Sequence, residues 1–156
     1  MIVEGIAIAI IFFMYGYLTD YIDHLIDELK KSPGLILQSA FLILTAITSL
    51  IGYFYFPSVF LGVVIGLLIS GKVDHFIYVI ALLFFLPYVF LNLDIRVISL
   101  FALSSFLDEK PFFSNKRPLL KLMSLAYGLL YAPLVLVAFG SYDMGYEYSN
   151  YKIKGH

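Results

Sequence analysis

LILQSAFLILTAITSLIGYFYF, residues 35–56, is a run of 22 residues without a single charge. Gln38, Ser39, Thr45, Thr48 and Ser49 are its polar points. As an α-helix the run rises about 33 Å, enough to cross a hydrocarbon core of about 30 Å. It has no polar face to turn towards water, so it needs lipid or protein all round. The rest of the chain is of the same kind. Of 156 residues, 62% are hydrophobic, 18% are aromatic and 13% are charged, against about 25% charged in a soluble domain. The mean hydropathy is +0.94. One small core cannot hide that much apolar surface, so lipid is the solvent to expect. The composition predicts an all-α, polytopic transmembrane helical bundle in the cell membrane, with membrane lipid as its first partner.

Upstream of this run, residues 2–18 form another apolar stretch, continuing as an amphipathic helix to about Lys31. Ser32-Pro33-Gly34 stops it. No Lys or Arg precedes the stretch and no small-residue cleavage site follows it, which reads as a retained helix. Downstream, Pro57 breaks the chain. Residues 58–71 then form a short helix with Gly62 and Gly66 at the spacing that lets membrane helices approach closely. A helix over 76–91 carries Pro87 as a kink. Residues 95–107 form a third short apolar stretch. A last helix is expected over 119–139, with Pro133 inside it. The polar tail, 140–156, carries Tyr142, Tyr146, Tyr148 and Tyr151, which suit a membrane–water interface. The loops are too short for a soluble domain, so residues 1–156 read as one integral membrane domain.

Basic residues choose the span count. With six spans, Lys30, Lys31, Lys72, Lys110, Lys116, Arg117 and Lys121 fall on one face, leaving Arg96, Lys152 and Lys154 on the other. That bias assigns the first face to the cytoplasm. With five spans, 95–107 staying out of the membrane, the bias vanishes. Six short spans with both termini outside is the expectation. The 13 residues of 95–107 rise only about 20 Å, so that span needs a thinned bilayer or burial against its neighbours.

Charge gathers in TDYIDHLIDELKK, residues 19–31. On a helix Asp20, Asp23, His24 and Asp27 share one face, with Glu28 at its edge and Ile22, Leu25 and Ile26 opposite. A second polar knot is Lys72, Asp74 and His75. A third is Asp108, Glu109, Lys116 and Arg117. Carboxylate and imidazole suit a divalent cation such as Mg²⁺, Mn²⁺ or Zn²⁺. The ligand set to expect is Asp20, Asp23, His24, Asp27, Asp74 and His75, with Lys116 and Arg117 able to hold a phosphate. The plainer reading is that charges at helix ends are solvated and enforce topology. Asp23-His24 and Asp74-His75 share an Asp-His pair followed by apolar residues, which hints at a duplicated hairpin.

Asp20-x-x-Asp23-x-x-x-Asp27 is similar to the first aspartate motif of UbiA-type intramembrane prenyltransferases, in which Mg²⁺ holds a prenyl diphosphate. Thr19 stands where that family usually has Asn, Asp74 has no acid four residues on, and the chain has about half the expected length. Asp23-His24 also resembles the Asp-His pair of small membrane-bound metal-dependent hydrolases, whose further His-rich segment is missing. No CDP-alcohol phosphotransferase signature and no P-loop occur, and no family membership follows.

The absence of Cys excludes disulfides and thiol chemistry. A net charge of −1 argues against nucleic acid as a partner. Three functions remain. The first is a non-catalytic membrane scaffold or subunit, as a homo-oligomer or within a membrane complex. The second is a metal-dependent enzyme acting on a lipid or prenyl phosphate head group at the inner leaflet. The third is an ion or metal transporter, disfavoured because most spans lack mid-membrane acids or bases. Catalysis is left open.

Overall fold

The computed structural model describes residues 2–71, 73, 75–109 and 118–154. Among them there are seven α-helices and no strand. They are α1 (Ile2–Asp23), α2 (Leu35–Tyr55), α3 (Pro57–Ser70), α4 (Phe76–Leu82), α5 (Ile95–Asp108), α6 (Pro118–Leu130) and α7 (Pro133–Lys154). A π-helical turn, His24–Glu28, closes α1, and a 3-10 segment, Leu83–Phe90, continues α4. The all-helical class matches the composition.

Two helices are long and apolar enough to cross a membrane: Ile2–Glu28, counted with its π turn, and Leu35–Tyr55. Only 22% and 28% of their most apolar windows are buried. Length and composition alone make them candidate membrane spans. α3, α5 and α6, at 14, 14 and 13 residues, rise about 20 Å each.

Local chemistry explains where the helices end. Asp23, Asp27 and Glu28 put negative charge at the negative end of the α1 dipole. The regular helix gives way to a π turn there, with the Leu29 amide donating to the His24 carbonyl, and Lys30 takes a left-handed φ of 52°. Regular helix therefore stops before the expected Lys31. Pro57 sits in the first turn of α3, where its missing N–H costs nothing. Pro87 has no N–H to give and its ring crowds the preceding turn, so α4 tightens to 3-10 instead of kinking. The expected helix 119–139 is in fact two. The chain breaks at Tyr131 and Ala132, and Pro133 begins a new helix. The new helix continues through the polar tail to Lys154.

The chain forms two compact units, Met1–Thr48 with Val137–His156, and Ser49–Leu136. In the first, α1 and α7 approach until backbone meets backbone. A methyl on Gly16 would overlap the carbonyl oxygen of Tyr142, and one on Gly145 would overlap that of Phe13. Tyr15 stacks on Phe41 of α2 at 5.7 Å. On the same helix Thr45 gives its proton to the Phe41 carbonyl.

In the second unit α3 and α5 run parallel and in register. Ser58 Oγ accepts from the Asp94 amide at 2.9 Å. A methyl on Gly62 would lie 2.7 Å from the Ile98 carbonyl oxygen, and one on Gly66 would lie 2.6 Å from Ser105 Cβ. Ser105 Oγ donates to the Val63 carbonyl. The small-residue spacing thus marks a helix contact, within one chain.

Candidate functional site

The acid-histidine segment is spread along the end of α1 rather than gathered. Asp20 is buried, at 7% exposure. Asp23 and His24 are half-buried, and Asp27 and Glu28 are exposed. The π turn is the cause. An i→i+5 repeat turns less per residue than an α-helix, so Asp27 leaves the face that Asp20, Asp23 and His24 would share with it. His24 Nδ1 lies 2.9 Å from Glu28 Oε2. This is ion-pair distance without hydrogen-bond alignment, since the buried nitrogen has no bonded partner.

His75 stands at the start of a helix, not at the end of one. It is the N-cap of α4, where Nδ1 faces the Ile77 amide at 3.4 Å, a long and weak contact. Its ring meets Tyr78 edge-on. His24 and His75 therefore occupy opposite kinds of helix terminus, which speaks against reading the two segments as copies. Asp74, Lys116 and Arg117 lie outside the described residues. Among the described residues no group of three or more His, Asp or Glu is arranged to hold a metal ion.

The third polar knot contains a carboxylate with a clear task. Asp108, 1% exposed, ends α5. It accepts from the Leu119 amide through Oδ1 at 3.1 Å and from the Leu120 amide through Oδ2 at 2.6 Å. It is a cap for α6 supplied from 11 residues upstream, satisfying donors that a helix start leaves bare. Asp94 caps α5 through the Arg96 amide at 2.9 Å, so Asp94 and Arg96 are linked by cap geometry.

Polar groups inside the apolar helices are spent in the same manner. Ser49 Oγ donates to the Phe84 carbonyl at 2.8 Å. In a 3-10 turn that carbonyl would await the N–H of residue 87, which is proline. Tyr88, 1% exposed, donates back to the Ser49 carbonyl at 2.6 Å. Sequence reasoning noted Ser49 but missed Tyr88 and this exchange. Pro87 three residues after Phe84 was the available signal. Ser124 and Ser149 are buried hydroxyls with no hydrogen-bond partner among the described residues.

Compared with known proteins, the chain matches no family model, no curated protein and no solved structure at a significant level.

Proposed function

We propose that the chain is a multi-pass integral protein of the cell membrane with a structural role, a scaffold or subunit rather than a catalyst. The observation that carries this reading is the use of its polar groups. Ser49, Tyr88, Ser105, Thr45 and Asp108 each bond the chain's own backbone. Thr45 does so within its own helix, and the other four tie one segment to another, a use suited to a solvent that offers no hydrogen bonds. The multi-pass part is supported by the outward faces. Ile36 is 88% exposed and Phe90 87%. With Leu35, Phe54, Phe76 and Leu130 they make an apolar exterior that water would not tolerate. α3, α4 with its 3-10 continuation, and α5 are short spans in this reading, accommodated by thinning of the bilayer or by burial against one another.

One observation favours a second reading, a divalent-metal centre acting on a lipid phosphate. Asp20 is buried beside half-buried Asp23 and His24 at a π turn, and π turns recur at functional sites. In that reading Asp20, Asp23, His24, Asp27, Asp74 and His75 are the ligands, and Lys116 and Arg117 hold the phosphate. Melting of the detergent-purified protein with EDTA, Mg²⁺, Mn²⁺ or Zn²⁺ separates the two. The scaffold reading expects one melting temperature throughout, unchanged in His24→Ala and Asp74→Ala. A metal-dependent rise, lost in both variants, would overturn it in favour of the metal centre.

A further inference from the structure

We infer that α7 docks a membrane helix of another protein, one carrying a Lys or Arg at mid-depth, along the face formed by Gly140, Met144, Glu147 and Tyr151. This rests on the multi-pass reading proposed above and names the kind of partner such a subunit takes.

Within the first unit, the register of α7 on α1 sets the depth. A methyl on Gly16 would overlap the carbonyl oxygen of Tyr142, and one on Gly145 would overlap that of Phe13. Three residues back along α1 match three residues forward along α7, so the two helices run antiparallel with their backbones in contact. The Tyr148 ring lies 6.1 Å from that of Phe13 and 6.2 Å from that of Tyr17. Side chains lean towards the N-terminus of their own helix, which in antiparallel helices brings these rings together.

Continued by two residues, this register puts Glu147 level with Ile11. Residues 5–18 of α1, GIAIAIIFFMYGYL, carry no charge and belong to a candidate span. Ile11 is about 10 Å from either end of that run. Once α1 spans, Glu147 therefore lies deep in the hydrocarbon, with half-buried Asp143 one turn away, level with Tyr15. Composition alone sends this polar stretch to the membrane surface; the glycine contacts hold it beside the apolar half of α1.

Glu147 is exposed. A carboxylate turned to lipid tails is costly, and acids at this depth face protein or water and pair with another group. The surface around it has the form of a helix seam. Gly140, Met144, Glu147 and Tyr151 are all exposed and recur at intervals of four, three and four residues, the spacing of a packed helix pair. No atom lies within 4 Å of where a Gly140 methyl would stand, so a second backbone has room to come close.

Charge selects the partner. A Lys or Arg opposite Glu147 answers its charge where the low dielectric makes the attraction strong. A second copy of the chain does not supply one. In a two-fold pair on this seam Glu147 meets Glu147, and α1 and α2 contain no Lys or Arg. Lys152 is five residues further along α7, about 8 Å nearer the end of the helix.

The probes are two synthetic membrane peptides: a leucine-rich helix with one central Lys, and the same helix with Leu there. Fluorescence energy transfer in lipid vesicles measures their association with the full-length chain. The Lys peptide is expected to bind at least about tenfold more tightly than the Leu peptide. Glu147→Leu should erase that preference, and Glu147→Lys should transfer it to a peptide with a central Glu. An absent preference in the wild type, or one retained in Glu147→Leu, would overturn the docking. Association of two differently labelled copies of the chain, lost in Glu147→Leu, would assign the face to a second copy and overturn it as well. Depth is measured separately. The native chain has no Cys, so Met14→Cys and Met144→Cys, both at exposed positions and level in this register, each take one spin label. The two labels should report the same depth inside the bilayer. A deep label at residue 14 with one in water at residue 144 would refute the docking and leave the multi-pass reading intact. A label in water at residue 14 would remove the multi-pass reading itself.

Discussion

Removing the Asp108 carboxylate should unfasten the start of α6. Asp108 is 1% exposed and holds two amides, at 3.1 and 2.6 Å. In Asp108→Ala both donors lose their acceptor. A buried donor left unpaired costs about 1–3 kcal/mol, and loss of a helix cap costs about 0.5–2 kcal/mol. These describe overlapping losses, so the expected destabilisation is about 2–4 kcal/mol. Asp108→Asn keeps one acceptor oxygen but turns an NH₂ towards the second amide, so roughly half the loss is expected. Equilibrium unfolding in mixed micelles measures the difference, and hydrogen exchange at the Leu119 and Leu120 amides locates it. A loss under about 0.5 kcal/mol, the size of an ordinary surface substitution, would refute the capping argument. So would an Asp108→Ala variant whose Leu119 and Leu120 amides exchange no faster than in the wild type.

Gly16→Ala and Gly145→Ala should each destabilise the first unit by several kcal/mol, since the new methyl overlaps a backbone carbonyl that cannot step aside; Gly5→Ala, with open space around it, should be neutral in the same unfolding assay. Gly66→Leu should disrupt the α3–α5 contact within the monomer, seen as a lower melting temperature and not merely as loss of an oligomer on a sizing column. Ser49→Ala and Tyr88→Phe form a double-mutant cycle, expected to show about 0.5–3 kcal/mol of coupling because the two residues share one hydrogen-bonded exchange; strictly additive losses would mean that they act apart. His24→Ala should cost under about 1 kcal/mol, because the partner Glu28 side chain is 51% exposed and such pairs are weak; a larger loss would point to a task for His24 beyond that pair.

The caps and exchanges also explain why polar residues in this chain are poor guides to chemistry. An Asp or Ser in a soluble protein can be solvated where it stands. Where water is excluded, an unpaired amide or carbonyl costs several kcal/mol, so the first claim on a buried polar side chain is the nearest orphaned backbone group. Asp94, Asp108, Ser49 and Tyr88 are all committed in this way.

The helical class was legible from residues 35–56 and from the composition alone, because a run of that length without a charge or a turn signal suits a helix. The break at Pro57 was legible too, since proline's missing N–H acts whatever the surroundings; at Pro87 the same lack gave a 3-10 segment where a kink was expected. The use of Gly62 and Gly66 was legible, because only small residues permit backbone approach at that spacing. Tertiary structure decided the rest. Pro133 could kink a helix or start one, and the seating of Leu136 on Gly128 settled it as a start. The tail from Gly140 read by composition as a polar segment suited to a membrane–water interface, but its helix packs through Gly145 against the α1 backbone, a contact more than 120 residues distant in sequence. Asp20 and Asp27 were equivalent on a helical wheel; the π turn separates them, burying one and exposing the other. Asp108 could not be read as a cap because the amides it holds begin 11 residues later, beyond any local pattern. Propensity and hydropathy act over a few turns of chain and so are written in the sequence. Which polar group meets which backbone depends on helices brought together from afar, and only their packing decides it.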